Sequence, residues 1–176
     1  MSRTLLLMRH AKSGYPPGVD DHDRPLAARG EREAGLAGDL LRHRGIDAVL
    51  CSSARRTRDT LARTGIDAPV HIATRLYDAA PETVLAEIRE ADATFGAEVH
   101  TLLVIGHEPA MSGLTLALAA PGVSDAPAAP GVSDAAALRR VATKFPTSAI
   151  ATLHVDGPWD TLGAGGAVLT SFDVPR

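Results

Sequence analysis

Aromatic side chains are scarce in this chain: Phe, Trp and Tyr together make up 3% of its 176 residues. The core must therefore be built from Ala, Leu, Val and Ile. The scarcity also argues against base-stacking nucleic-acid modules, which need aromatic platforms. Cysteine is reduced to Cys51, which excludes an intramolecular disulfide and any Cys-rich zinc site. At the end of an apolar run, with nothing nearby in sequence to activate it, that thiol reads as buried and inert rather than catalytic. An excess of positive charge is missing too. With a net charge of −3, no global basic field points to nucleic acid or membrane, so any anion site must be local. No apolar run reaches membrane-spanning length, and Arg3–Met8 is too short for a secretory signal. A cytoplasmic monomer is the expectation.

What is present is a length suited to one domain over 1–176 and a regular alternation of elements. Thr4–Met8, Ile46–Cys51, Val70–Ile72, Thr101–Ile105, Ala149–Val155 and Ala167–Phe172 read as strands. Helical spacing of Ala34, Ala37, Leu40 and Leu41 predicts a helix over Arg29–Arg44, weakened by Gly35 and Gly38. Ser52 and Ser53 are N-cap candidates for a helix to about Arg63. Pro81 and Pro109 are first-turn prolines for helices to about Ala93 and Ala119, and a short helix covers Ala135–Thr143. Alternating β and α elements predict a three-layer α/β/α sandwich with a mostly parallel central sheet. One duplication interrupts it. Ala120–Ala126 recurs as Ala129–Ala135, and this Pro/Gly/Ala-rich segment of about 120–135 reads as a loop insertion.

Three strands end in polar residues suited to chemistry. The first ends in Arg9-His10. The second ends at Cys51, before Ser52-Ser53-Ala54-Arg55-Arg56-Thr57-Arg58-Asp59-Thr60. The Thr101–Ile105 strand ends in Gly106-His107. In a parallel sheet all three ends share one rim, where ligands of open α/β sheets bind. Two histidines and several arginines then converge beside a helix N-terminus, itself an anion site. Such a pocket suits a dianionic phosphoryl group. A neutral imidazole can attack phosphorus and form a covalent intermediate, while the guanidinium groups hold the equatorial oxygens.

These segments resemble the histidine phosphatase superfamily, the phosphoglycerate-mutase-like fold. Leu7-Met8-Arg9-His10-Ala11 is similar to its Arg-His-Gly signature, and Ser52…Arg56…Thr60 to its Ser-x-x-x-Arg-x-x-x-Thr segment. Ile105-Gly106-His107-Glu108-Pro109 resembles its second-histidine motif. Asp23-Arg24-Pro25-Leu26…Arg29-Gly30 and Lys144–Ala151 resemble the SixA branch of small phosphohistidine phosphatases, as does the short length. The resemblance covers nearly the whole chain apart from the insertion. It implies that His10 is the phosphorylated nucleophile, Arg9 and Arg56 phosphate ligands, and His107 the second catalytic histidine, with no cofactor and no metal.

Two departures stand out. Ala11 replaces the signature glycine, a small steric change. Larger relatives carry a carboxylate general acid after the third strand. Here Glu82 is the candidate and Asp78 another, and neither sits in a convincing motif. An imidazole leaving group needs less acid help than an alkoxide, which favours phosphorus–nitrogen substrates. Among the remaining residues, Arg24 either pairs with an acid or reaches the pocket rim. Thr147 and Ser148 start a strand and line the pocket, Ser148 as a substrate contact. Glu82 and Glu108 also fit as helix N-terminal charges, and Arg55 and Arg58 as solvated charges. Asp20, Asp21, His22 and Asp23 fit no metal pattern and read as a solvated loop. His22, His43, His71, His100 and His154 read as surface or packing residues. The expected activity is a phosphatase working through phosphohistidine on His10. Its substrate would be a phosphohistidine-bearing phosphorelay or phosphotransferase domain, with inorganic phosphate as product. The alternatives are a phosphomonoesterase for a small phosphate ester and a phosphate-binding module without turnover.

Overall fold

A computed structural model of the chain describes residues 1–121 and 131–176. Most of the duplicated segment, residues 122–130, lies outside the described residues. Six strands, β1 (Ser2–Arg9), β2 (Ala48–Ser52), β3 (Val70–Ala73), β4 (Thr101–Gly106), β5 (Ile150–Asp156) and β6 (Ala167–Asp173), form one sheet. Its order is β3-β2-β4-β1-β5-β6. The pairs β1–β4, β2–β4 and β2–β3 are parallel, and β5 and β6 add an antiparallel edge. This is the mixed α/β sandwich expected.

Leu5, Leu6, Leu7 and Met8 are all fully buried. The run is apolar throughout rather than alternating because helices cover both faces of the sheet. One face packs on α1 (Ala28–Leu41) and α2 (Arg55–Thr64) through Leu6, Met8, Val49, Cys51, Ala37 and Leu41. The other packs on α3 (Pro81–Arg89), α4 (Ala91–Phe95), α5 (Ala110–Leu118) and α6 (Ala135–Thr143). Gly38 has a packing role that outweighs its poor helix propensity. A Cβ there would lie 2.2 Å from the Thr64 carbonyl oxygen, so the glycine lets α1 meet the end of α2 backbone to backbone. Gly35 has open space around it.

Several local expectations are corrected. Ser52 and Ser53 are not the N-cap of α2; that residue is Ala54, which has no side-chain cap, because Ser52 completes β2 instead. The helix expected from Pro81 to Ala93 is two helices, divided where Glu90 leaves helical geometry at ψ 3°. Pro109 precedes α5 as its N-cap residue. Ser148 does not begin a strand; it takes a left-handed φ of 65°, and β5 starts at Ile150. At α6, Asp134 accepts a hydrogen bond from the Ala137 amide and caps the helix. No helix among the described residues is long and apolar enough to cross a membrane.

Candidate active site

The parallel register aligns the three strand ends. Arg9 pairs with Gly106 and Cys51 with Ile105, so His10, Ser52 and His107 emerge on one rim. The His10 amide donates to the Gly106 carbonyl (3.0 Å) and the Arg9 amide to the Ala149 carbonyl (3.1 Å). The two imidazole rings lie 5.2 Å apart, centroid to centroid, and each residue is 8% exposed. His10 Nδ1 is 2.7 Å from the Ala11 carbonyl. A carbonyl only accepts, so Nδ1 carries the proton and Nε2 holds the free lone pair. His107 Nε2 lies 2.8 Å from Ser52 Oγ.

Both rings are held neutral. Burial pushes His10 down to about 3; the Ala11 carbonyl opposes this, while the neighbouring His107 and the Arg56 and Arg9 charges add to it. Burial likewise lowers His107 to about 4; Arg56 adds to the shift and the Asp21 carboxylate opposes it. The Arg9 guanidinium is also lowered, chiefly by burial, and its Nη1 donates to the Phe145 carbonyl at 2.9 Å. Arg56 is 6% exposed.

The rest of the Ser-x-x-x-Arg-x-x-x-Thr segment braces this arrangement. Thr60 Oγ1 accepts from the Ala11 amide (2.9 Å) and donates to the Arg56 carbonyl (2.6 Å), tying the turn after His10 to α2. Gly30 gives the turn room: a Cβ there would lie 2.0 Å from the Lys12 carbonyl oxygen. On the opposite side the Ser148 amide is shared between the Arg9 and His10 carbonyls, 3.2 Å from each. The Ser148 hydroxyl is buried with no partner among the described residues.

Sequence reasoning missed one side of the site. Asp21 is exposed, as expected of a loop residue, yet it is bonded to the site. Its backbone carbonyl accepts from Arg56 Nη1 (2.8 Å) and its Oδ2 from Arg56 Nη2 (3.2 Å). The same Oδ2 accepts from Tyr77 Oη (2.6 Å), and Oδ1 from Arg24 Nη1 (2.8 Å). Led by the Tyr77 hydroxyl, these donors hold the Asp21 carboxyl at about 2. The Tyr77 ring stands edge-on to His107 at 5.8 Å and to His22 at 4.9 Å, and His22 Nε2 is 3.0 Å from Ser53 Oγ. His22 is thus a partly exposed packing residue that also borders the site. The one available signal was Asp21 three residues before Arg24, a spacing at which short turns pair charges.

Other candidates are placed plainly. Arg24 pairs with an acid, Asp21, donates also to the Gly14 carbonyl and Ser13 Oγ, and stacks 3.7 Å from the centroid of the exposed Tyr15 ring. Glu82 is exposed in the first turn of α3. Both Glu108 carboxylate oxygens accept from Ser112, at its amide and its hydroxyl. Arg55 lies along α2 beside Asp59, and Arg58 donates to the Ser53 carbonyl. Burial pushes the Cys51 thiol up to about 12, so it is not a nucleophile at neutral pH. Among the described residues, no cluster of three or more His, Cys, Asp or Glu is placed to hold a metal ion. The arrangement is two neutral imidazoles with two guanidinium charges close by, which suits in-line attack on a phosphoryl group.

The chain is similar to known proteins. A family model described as the histidine phosphatase superfamily (branch 1) matches residues 5–93. An uncharacterised protein of Mycobacterium tuberculosis is 54% identical over 171 residues, covering 96% of this chain and 100% of that one. Among solved structures, one provisionally named phosphohistidine phosphatase SixA from Nakamurella multipartitia has 37% identity and a TM-score of 0.84, covering 99% of this chain and 97% of its own. Another, provisionally so named from Agrobacterium tumefaciens, has 26% identity and a TM-score of 0.73, covering 98% and 99%.

Proposed function

Because the chain belongs to the histidine phosphatase superfamily (branch 1), we propose that it hydrolyses phosphohistidine on a partner protein, with His10 Nε2 as the nucleophile. The partner would be a phosphorelay or phosphotransferase domain. Arg9 and Arg56 hold the phosphoryl oxygens and stabilise the charge that builds on them. The Nε2 lone pair forms a bond to phosphorus as the bond from phosphorus to the substrate's imidazole nitrogen breaks. The departing imidazole takes up a proton, from water or through His107. Water then attacks the phosphoryl group on His10, gives up a proton, and releases inorganic phosphate and the free imidazole. The low value of His10 keeps the nucleophile unprotonated throughout the neutral range.

The observation that carries the substrate class is the state of the carboxylates. Asp21, the one bonded to Arg56, is held ionised at about 2 and has no proton to give an alkoxide. Both Glu108 oxygens accept hydrogen bonds from Ser112. Glu82 and Asp78, the general-acid candidates, are both exposed. A phosphoramidate bond tolerates that lack, whereas an ester with a poor leaving group does not. The deciding experiment compares kcat/KM for a phosphohistidine peptide with that for a panel of phosphomonoesters, in EDTA. The peptide is expected to be turned over faster. A preference for one ester by orders of magnitude would establish a small-molecule phosphomonoesterase instead.

A further inference from the structure

We propose that Asp21 and Tyr77 form a clamp that aims Arg56 at the phosphoryl site, so that a carboxylate beside an anion pocket promotes anion binding. The inference rests on the reading of Arg56 as a phosphoryl ligand. Three segments distant in sequence meet at this side chain: the turn Asp21–Asp23 before α1, the first turn of α2, and Tyr77 after β3. Asp21 takes one hydrogen bond from each terminal nitrogen of Arg56, through its carbonyl and its Oδ2. A guanidinium has five N–H donors in a fixed plane, so two bonds to one residue set the orientation of that plane and leave three donors over.

The carboxylate cannot turn away to follow the arginine. Tyr77 Oη holds Oδ2 and Arg24 Nη1 holds Oδ1, and Arg24 is itself fixed on the Gly14 carbonyl. The Tyr77 ring lies 5.9 Å from the guanidinium carbon, closing the arrangement from the side of His107. Asp21 therefore acts through Arg56 and is a positioning residue.

Charge alone and positioning predict opposite signs. By Coulomb's law, removing a negative charge beside the pocket should tighten binding of a dianion. If instead Asp21 holds Arg56 in its binding pose, removing it returns a long side chain to rotameric freedom, and binding weakens. Calorimetric titration of the full-length protein with inorganic phosphate and with tungstate separates the two. Asp21→Ala is expected to weaken binding by about tenfold, the scale of one charge-assisted hydrogen bond. Asp21→Asn, which keeps one oxygen acceptor, should recover part of the loss, and Tyr77→Phe should show a smaller loss with its fold intact. The double variant Asp21→Ala/Arg56→Ala should bind no more weakly than Arg56→Ala alone. Unchanged or tighter binding in Asp21→Ala overturns the clamp, as does a double variant whose loss is the product of the two single losses. Wild-type binding by Arg56→Ala would overturn it too. A protein that binds phosphate through Arg56 yet hydrolyses no phosphohistidine fails the functional proposal while leaving the clamp standing.

Discussion

Acidification from pH 7 to 5 should destabilise the fold through the two site imidazoles, by an amount that follows from their environment. An unfolded histidine titrates near 6.5, whereas His10 and His107 are held near 3 and 4 in the folded chain. Between those values the unfolded chain binds more protons, so stability is complete above pH 6.5 and falls as pH drops. At pH 5 each ring is almost wholly protonated when unfolded and almost wholly neutral when folded, which corresponds to about 2 kcal/mol per ring lost relative to pH 7. Together the rings remove about 4 kcal/mol, a large share of the roughly 5–15 kcal/mol typical of a folded domain. Asp21 does not contribute in this window, because its value is lowered from 3.8 to about 2 and matters only in stronger acid. Urea unfolding in phosphate-free buffer at pH 7 and 5 measures the loss. His10→Asn should cut it by about half, and His10→Asn/His107→Asn should remove most of it, since Asn does not titrate. Equal pH dependence in wild type and double variant would refute the assignment of buried, neutral rings.

Three further outcomes test the architecture. Arg56→Lys removes the planar fork that Asp21 holds and should lower kcat/KM for the phosphohistidine peptide by about 10²-fold, measured by phosphate release. Thr60→Val strands the buried Ala11 amide and should cost about 1–3 kcal/mol in urea unfolding; an unchanged midpoint would show that this amide has another acceptor. Gly35→Ala and Gly38→Ala should differ in sign although both sit in α1. The first gains up to about 1 kcal/mol of helix propensity. The second drives a Cβ against the Thr64 carbonyl and destabilises the protein by more than that gain, which thermal unfolding resolves.

What was legible in the sequence was what neighbours in sequence determine. Arg9-His10, Ser52…Arg56…Thr60 and Gly106-His107 each sit at a strand end, and a parallel sheet brings such ends together without further information. Every strand and α6 could be read from hydropathy and turn residues because each is bounded locally. Asp21 and Tyr77 escaped because their roles exist only across 35 and 56 residues of intervening chain, and alone each is an ordinary loop residue. Ser52 was misread for the same reason: an N-cap preference is local, whereas its bond to His107 spans 55 residues. Gly38 reads as a weak point in a helix until the partner carbonyl of Thr64 is in view. The left-handed Ser148 violates local preference outright, and its cause is the pair of carbonyls, Arg9 and His10, that its amide serves.

The central placement of β1, between β4 and β5, gives the two halves of the site different lifetimes. The amides of Arg9 and His10 are locked into the middle of the sheet and open to deuterium only in the largest, rarest unfolding events. Asp21 belongs to a three-residue turn with its side chain 51% exposed, a segment that opens in small, frequent events. His10 thus persists on one clock while the Asp21 turn opens on a faster one.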